Sequence, residues 1–344
     1  MSKSQEKSTN VRAVPRWLKR GLAALGALSP VLAGRLAARL FMQAPRRFRG
    51  DAAQAARLAA ATRFEVAHAG QHLVAWRWGR ASAPTVLLAH GWGGSAAQLT
   101  GLVGPLMHAG YQVVAFDAPG HGDSPGTHSS LPGFAAALTS VARAVGPLHA
   151  VVAHSMGGAS TSLALARGLR AGRAVFLAPP ADARVWLHGF GKLLELDDAV
   201  LGATRRHLEA QLAIDFDDLT APVLGPRLAL PLLVLHDRGD REVPWRDGAE
   251  TAARAPQAQL ITTEGLGHKR ILDSGQVQDE VVRFVSAAAP ATVCSICGRT
   301  CEVPTGAAEA PLCARCELDV ELGQRERRWS QLGDHAEHGV LRAA

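Results

Sequence analysis

The sequence predicts an α/β protein: a mostly parallel twisted sheet with helices on both faces, a helical cap insertion, and a small C-terminal cysteine module. Three observations predict it. Short apolar runs such as Thr85–Ala89 (TVLLA), Tyr111–Phe116 (YQVVAF) and Pro231–His236 (PLLVLH) alternate with helix-length stretches. Strands apolar on both sides belong in a sheet covered on both faces. The rhythm breaks once, over about 181–226, and all five cysteines fall between Cys294 and Cys316.

The first 50 residues form a basic arm. They hold eleven Lys and Arg against one acid, Glu6, a net +10 that leaves −3 for the rest of a chain whose total is +7. The cationic character therefore belongs to the arm and says little about a substrate. Leu18, Leu22, Leu25, Leu28, Leu32, Leu36 and Leu40 recur every three or four positions, as on one helix face. Two amphipathic helices are expected, the second opened by Ser29 as cap with Pro30 at its first position, and stopped by Pro45. The longest apolar stretch, Leu22 to Gly34, has thirteen residues and contains Pro30, too short for a membrane span. The leucine pattern runs on through Arg35 and Arg39, unlike a cleaved signal peptide. Two roles stay open for the arm: docking on an anionic membrane surface or a protein partner, or packing as a helix pair on the body.

The body spans about 63–288. The whole chain, 47% hydrophobic and 19% charged, can bury a sizeable core, which excludes a disordered or fibrous protein. Arg63–Ala69 and Gln71–Trp78 read as strands around a turn at Gly70. A helix is expected over Ser95–His108 between the first two apolar strands, and another over Leu131–Val145. His149–Ala153 then leads into a helix beginning near Gly157. Arg173–Ala178, Pro231–His236 and Gln259–Thr263 complete the strands. The segment 181–226 is rich enough in Leu and Phe to be ordered as a cap over the carboxyl edge of the sheet.

The chemistry collects at strand ends. Ala153-His154-Ser155-Met156-Gly157 lies directly after a strand and before a helix, the context of a nucleophile elbow. Small flanking residues let the chain turn sharply, and the helix that starts there turns its free N–H groups towards the serine. Ala153 stands where such elbows usually carry Gly, one methyl more at a crowded contact. His90-Gly91-Trp92-Gly93-Gly94 closes the first parallel strand. Its backbone, through Trp92 N–H, is expected to form an oxyanion hole with Met156 N–H. Later, Asp240 sits in the loop His236–Pro244 and His268 follows Gly267 after the next strand. Ser155 is then the nucleophile, His268 the base and Asp240 the acid that orients it, with Asp237 a lesser rival.

HGWGG at 90–94, DAPGHGDS at 117–124, AHSMG at 153–157, Asp240-Arg241-Glu242-Val243-Pro244 and Gly267-His268 occur in one order. In them the sequence resembles the α/β-hydrolase superfamily, in its esterase- and lipase-like branch, over approximately residues 63 to 288. The resemblance implies an α/β-hydrolase fold and a Ser, Asp, His chain order. It also implies a structural turn at Asp117–Ser124, including His121 and Asp123. The expected substrate is a small carboxylic ester or thioester with an apolar acyl group, hydrolysed without a cofactor. Trp186, Leu187, Phe190 and Leu193 either line an acyl pocket or pack the cap. Two other functions stay open: a non-catalytic scaffold whose cysteine module and basic arm bind partners, and the same triad used for C–C bond hydrolysis or acyl transfer.

After a linker near 287–291 the composition changes. Cys294-x-x-Cys297 and Cys313-x-x-Cys316 are separated by fifteen residues, within a module over 292–318. Two such knuckles predict one structural Zn²⁺ held tetrahedrally by four thiolates, with no open position for catalysis. Cys301 is spare, and an iron–sulfur cluster or plain thiols are the alternatives. Clustered thiols in a chain otherwise free of cysteine suit a reducing, cytoplasmic setting, peripheral to a membrane if the arm docks there. The tail, 319–344, is charged, and no aromatic-interleaved basic surface favours nucleic acid.

Overall fold

The computed structural model describes residues 14–45, 48, 50–288, 292–293 and 300–301. The chain divides into two compact units, 1–285 and 286–344.

The first unit begins with three helices, α1 (Arg16–Leu28), α2 (Pro30–Phe41) and α3 (Ala52–Ala59). Ser29 breaks the first pair: its hydroxyl accepts from Leu32 N–H and Pro30 takes the first helical position. A cap of this kind contributes about 1 kcal/mol. Asp51 and Gln54 form a reciprocal capping box at the start of α3, a helix the apolar periodicity did not predict.

Strands β1 (Thr62–His68) and β2 (Gln71–Trp78) precede β3 (Thr85–Ala89). A 3₁₀ segment, Ala96–Leu102, runs into α4 (Val103–His108), followed by β4 (Gln112–Phe116), α5 (Leu131–Val145), β5 (Leu148–His154), α6 (Met156–Ala166) and β6 (Ala171–Leu177). The insertion carries α7 (Ala183–Leu194), α8 (Asp198–Leu212) and α9 (Ala221–Leu224), with short 3₁₀ turns around α9. Then come β7 (Leu232–Asp237), α10 (Trp245–Arg254), β8 (Ala258–Thr263), α11 (Gly267–Arg270) and α12 (Gly275–Ser286).

The eight strands lie in the order β1-β2-β4-β3-β5-β6-β7-β8, antiparallel at β1, β2 and β4 and parallel from there on. Every residue of β3, β4 and β7 is buried, which explains their unbroken apolar sequence. Two apolar cores fill the two faces, one around Phe116, Phe134 and Phe176, the other around Leu88, Leu106 and Val281. Because β4 and β5 flank β3 on opposite sides, the connection from β3 to β4 and the one from β4 to β5 run in opposite directions across the sheet. That reversal opens a crevice at the carboxyl ends of β3 and β5, where ligands of such sheets bind.

The arm packs on the cap through small residues. Ala33, Gly34, Ala37 and Ala38 of α2 are buried against α8. A Cβ on Gly34 would lie 2.7 Å from Ala203 Cβ and 2.8 Å from Thr204 N, so only glycine permits this approach. The predicted leucine stripe therefore splits. Leu22 is buried, Leu18, Leu25 and Leu40 are half-buried, and Leu28, Leu32 and Leu36 face outward. Among the described residues no helix is long and apolar enough to cross a membrane.

In the second unit the described residues form β9 (Thr292–Val293) and β10 (Thr300–Cys301), an antiparallel pair that sets Thr300 opposite Val293 and Cys301 opposite Thr292. Cys294, Cys297, Cys313 and Cys316 lie outside the described residues.

Candidate active site

Ser155 sits between β5 and α6 with φ 54° and ψ −126°. A non-glycine residue held there stores strain of about 1–3 kcal/mol, kept in place by the packing on both sides. The packing is tight: a Cβ on Gly157 would lie 2.6 Å from the carbonyl oxygens of Ala89 and His90. Ala153, the departure from the usual glycine, is fully buried within β5 and is accommodated there. Met156 opens α6, so its N–H has no acceptor inside the helix.

The loop after β3 is fixed by His90. Its Nδ1–H donates to Gly91 O at 2.7 Å, leaving Nε2 to accept Ala118 N–H at 3.0 Å. Burial, reinforced by neighbouring His121 against the Gly91 bond, pushes the His90 ring down to about 3, so it is neutral. A Gly94 N–H to Gly91 O bond of 3.1 Å closes the turn that carries Trp92. Asp117 braces the same region, accepting from Ala96 N and Asp123 N at 2.7 Å each, while Ser124 Oγ donates to Asp117 O.

The loops after β7 and β8 bring Asp240 and His268 together: His268 Nδ1–H donates to Asp240 Oδ2 at 2.7 Å. This leaves His268 Nε2 as an acceptor. Asp240 Oδ1 takes the N–H groups of Glu242 and Val243 at 2.8 and 2.9 Å. His236 Nε2, which donates to Val243 O at 3.0 Å, is 3.4 Å from Asp240 Oδ2. Burial raises the Asp240 carboxyl, but hydrogen bonds from His236, His268 and Val243 outweigh it and hold the group well below the ordinary carboxylate range. Asp237 does not reach His268. Its oxygens accept from Gly239 N, Thr263 Oγ1 and Leu266 N, which ties the two loops together.

Ser155, His268, Trp92 and Met156 line one cavity of about 470 Å³, within the range of small-molecule sites. Among the described residues no hydrogen bond joins Ser155 Oγ to His268 Nε2.

Phe41, Leu131, Trp186, Phe190, Ile214 and Phe216 form an apolar part of the wall, and Gln98, Ser129, Ser130, Glu242 and Lys269 add polar groups to it. Of the four cap residues considered from sequence, Trp186 and Phe190 line the cavity, Leu187 is buried in the cap and Leu193 faces outward. Phe41 comes from α2 and meets Phe190 edge-on, centroids 5.2 Å apart, with Phe216 at 6.5 Å. Sequence reasoning did not find Phe41, His154 or His236. His154 carries the only advance signal, its place beside the serine. Among the described residues no group of His, Cys, Asp and Glu is arranged to hold a metal.

A sequence profile of the alpha/beta hydrolase family matches residues 86–284, more than half of the chain. The magnesium-chelatase 30 kDa subunit of Rhodobacter capsulatus is 28% identical over 237 residues, 55% of this chain and 82% of that protein. A non-heme chloroperoxidase of Streptomyces lividans is 26% identical over 264 residues, 61% of this chain and 94% of the relative. Among solved structures, an esterase of Pyrococcus furiosus matches with a TM-score of 0.55 at 19% identity, covering 72% of this chain and 98% of its own. The esterase shares the fold of this chain, and the names of the three proteins span different reactions.

Proposed function

The chain belongs to the alpha/beta hydrolase family, and from that membership we propose that it is a serine hydrolase cleaving a carboxylic ester or thioester through a covalent acyl-enzyme on Ser155. The observation that carries this reading is the cavity shared by Ser155, at its strained elbow, and His268, whose ring is held by Asp240 at 2.7 Å.

In the reaction, Ser155 Oγ attacks the acyl carbon while His268 Nε2 takes its proton. Asp240 stabilises the imidazolium and fixes its tautomer. The oxyanion is held by Trp92 N–H and Met156 N–H. Collapse of the intermediate expels the alcohol or thiol, which leaves with the proton from His268. Water then attacks the acyl-enzyme by the same route and releases the acid. The apolar part of the wall, with Phe41, Trp186, Phe190 and Phe216, favours an apolar acyl group.

A screen of p-nitrophenyl esters and acyl-CoA thioesters of increasing chain length tests the reading. Hydrolysis is expected, with kcat reduced by about 10³-fold or more in Ser155→Ala. Equal turnover by the variant would reject it.

For the C-terminal module we propose one structural Zn²⁺ on Cys294, Cys297, Cys313 and Cys316, supported by the spacing of the two knuckles. Four thiolates give a closed site, so the metal would support the local fold. Metal analysis of the full chain should find about one zinc per molecule, lost when the four cysteines become serine. Metal-free wild type would contradict it. A reducing, cytoplasmic setting fits thiolates kept free of disulfides.

A further inference from the structure

We infer that the outer face of α1 and α2 docks the protein on an anionic lipid surface. Among the described residues nine large apolar side chains are exposed, and five of them lie on these two helices: Trp17, Leu28, Val31, Leu32 and Leu36. The first three are 74%, 85% and 55% exposed. Scattered exposed apolar residues are ordinary in soluble proteins, whereas a concentration on one element marks a contact surface. In α2, Leu32 and Leu36 lie four positions apart on one face with Val31 next to Leu32, and Leu28 ends α1 just before the corner at Ser29.

Packing of the arm on the cap does not consume this patch. The contact with α8 is made by Ala33, Gly34, Ala37 and Ala38, while Val31, Leu32 and Leu36 stay exposed. The leucines therefore remain outward once the helix is seated.

The charge around the patch selects the partner. Arg16, Arg20, Arg35 and Arg39 are exposed and take part in none of the salt bridges among the described residues. From Lys7 to Gly50 the sequence contains no acid. Two cap acids reach α1: Glu195, paired with Lys19 at 2.8 Å, and Asp197, which caps α8 and lies against Gly26. Apolar side chains flanked by exposed guanidinium groups match an interface that presents hydrocarbon beneath anionic headgroups. Neither signal alone gives more than weak, reversible binding; together they anchor a surface helix.

The geometry is that of a peripheral contact. At about 1.5 Å per residue, helices of 13 and 12 residues are roughly 20 and 18 Å long, against ~30 Å of hydrocarbon. The helix α2 runs about 15 Å from Val31 in the patch to Phe41 in the cavity wall, joining the docking face to the cavity.

Sedimentation of the full chain with vesicles tests the inference by a readout independent of catalysis. Phosphatidylglycerol–phosphatidylcholine vesicles are compared with phosphatidylcholine alone, for wild type, for Leu28→Ser/Val31→Ser/Leu32→Ser and for Arg35→Glu/Arg39→Glu. The wild type should pellet with the anionic vesicles and be released by salt, and both variants should bind about tenfold more weakly or worse. The substituted side chains are exposed, so both variants should keep the wild-type melting temperature. Wild type that ignores anionic vesicles, or a triple variant that pellets like wild type, would overturn the inference. So would a wild-type dimer that the triple variant turns into a monomer, since a second copy would then own the face.

Discussion

The ring of His154 donates from Nε2 to the backbone carbonyl of His268 at 2.9 Å, with the two ring centroids 4.7 Å apart. His154 immediately precedes Ser155, so the end of β5 fixes the proposed nucleophile and, through one hydrogen bond, the loop that carries the proposed base. The bond requires the proton on Nε2, and burial together with nearby His268 pushes the ring down to about 3 against that bond, keeping it neutral.

His154 is accordingly a positioning residue. His154→Leu should lower kcat by roughly 10- to 100-fold with little change in KM, because the base loop loses its tie to the elbow. His154→Gln, whose amide places an N–H near the same point, should recover much of the rate. Equal kcat for wild type and the leucine variant would show that the contact only fills space.

Neutral buried histidines also set the acid limit of the fold. His90 and His154 have folded-state values near 3, below the ordinary histidine value of about 6.5. Between these values the unfolded chain binds more protons than the folded one, so stability rises with pH. Their contribution is complete above about pH 6.5 and is lost as pH falls from there towards 3. Each ring accounts for roughly 1 kcal/mol per pH unit within that window. Urea midpoints between pH 7 and 4 should fall steeply in the wild type and less steeply in His154→Gln. Parallel curves would contradict the assignment.

The two acids of the β7 loop should separate cleanly. Asp240→Asn removes the carboxylate that holds His268 and should reduce kcat on the order of 10³- to 10⁴-fold while leaving the fold nearly intact. Asp237→Asn instead weakens a three-donor brace between loops and should cost about 1–3 kcal/mol of stability, with a smaller kinetic effect. Denaturation and steady-state kinetics on both variants distinguish the roles, and a reversed pattern would reassign the orienting acid.

Phe41 should govern acyl length. It enters the cavity wall from an element outside the region that matches the family profile. Phe41→Ala opens the wall and should shift the preferred acyl chain to greater length, at about 2 kcal/mol of stability. Phe41→Trp should shorten it. Identical profiles of kcat/KM against chain length for all three proteins would remove Phe41 from specificity.

Much of the fold was legible because its strands are fully buried. TVLLA at 85–89 and PLLVLH at 231–236 have no solvent face to alternate with, and both fold as β3 and β7. The sharp strand-to-helix turn at Ser155 was legible because such a turn restricts its neighbours to small residues, and Ala153 and Gly157 obey that restriction.

The face by which the arm packs was not legible. In α2 the leucine ridge, Leu32, Leu36 and Leu40, lies beside a ridge of Ala33 and Ala37, and both have helical spacing. Hydrophobicity favours the first ridge. Close approach to α8 favours the second, and that requirement belongs to the partner helix. Phe41 and Phe190 meet at 5.2 Å although 149 positions separate them in sequence, a convergence that only the folded chain reveals. The Asp51–Gln54 capping box is a local signal that predicts α3, but the alanine-rich helix has no buried residue to supply an apolar stripe.

Active-site labelling addresses the nucleophile most directly. Folded wild type and Ser155→Ala are treated with a fluorophosphonate near neutral pH, and the modified peptide is located by mass spectrometry. A single adduct on Ser155, absent from the alanine variant, is the predicted result. A well-folded wild type that stays unlabelled, or carries its adduct on another residue, would contradict the assignment of Ser155.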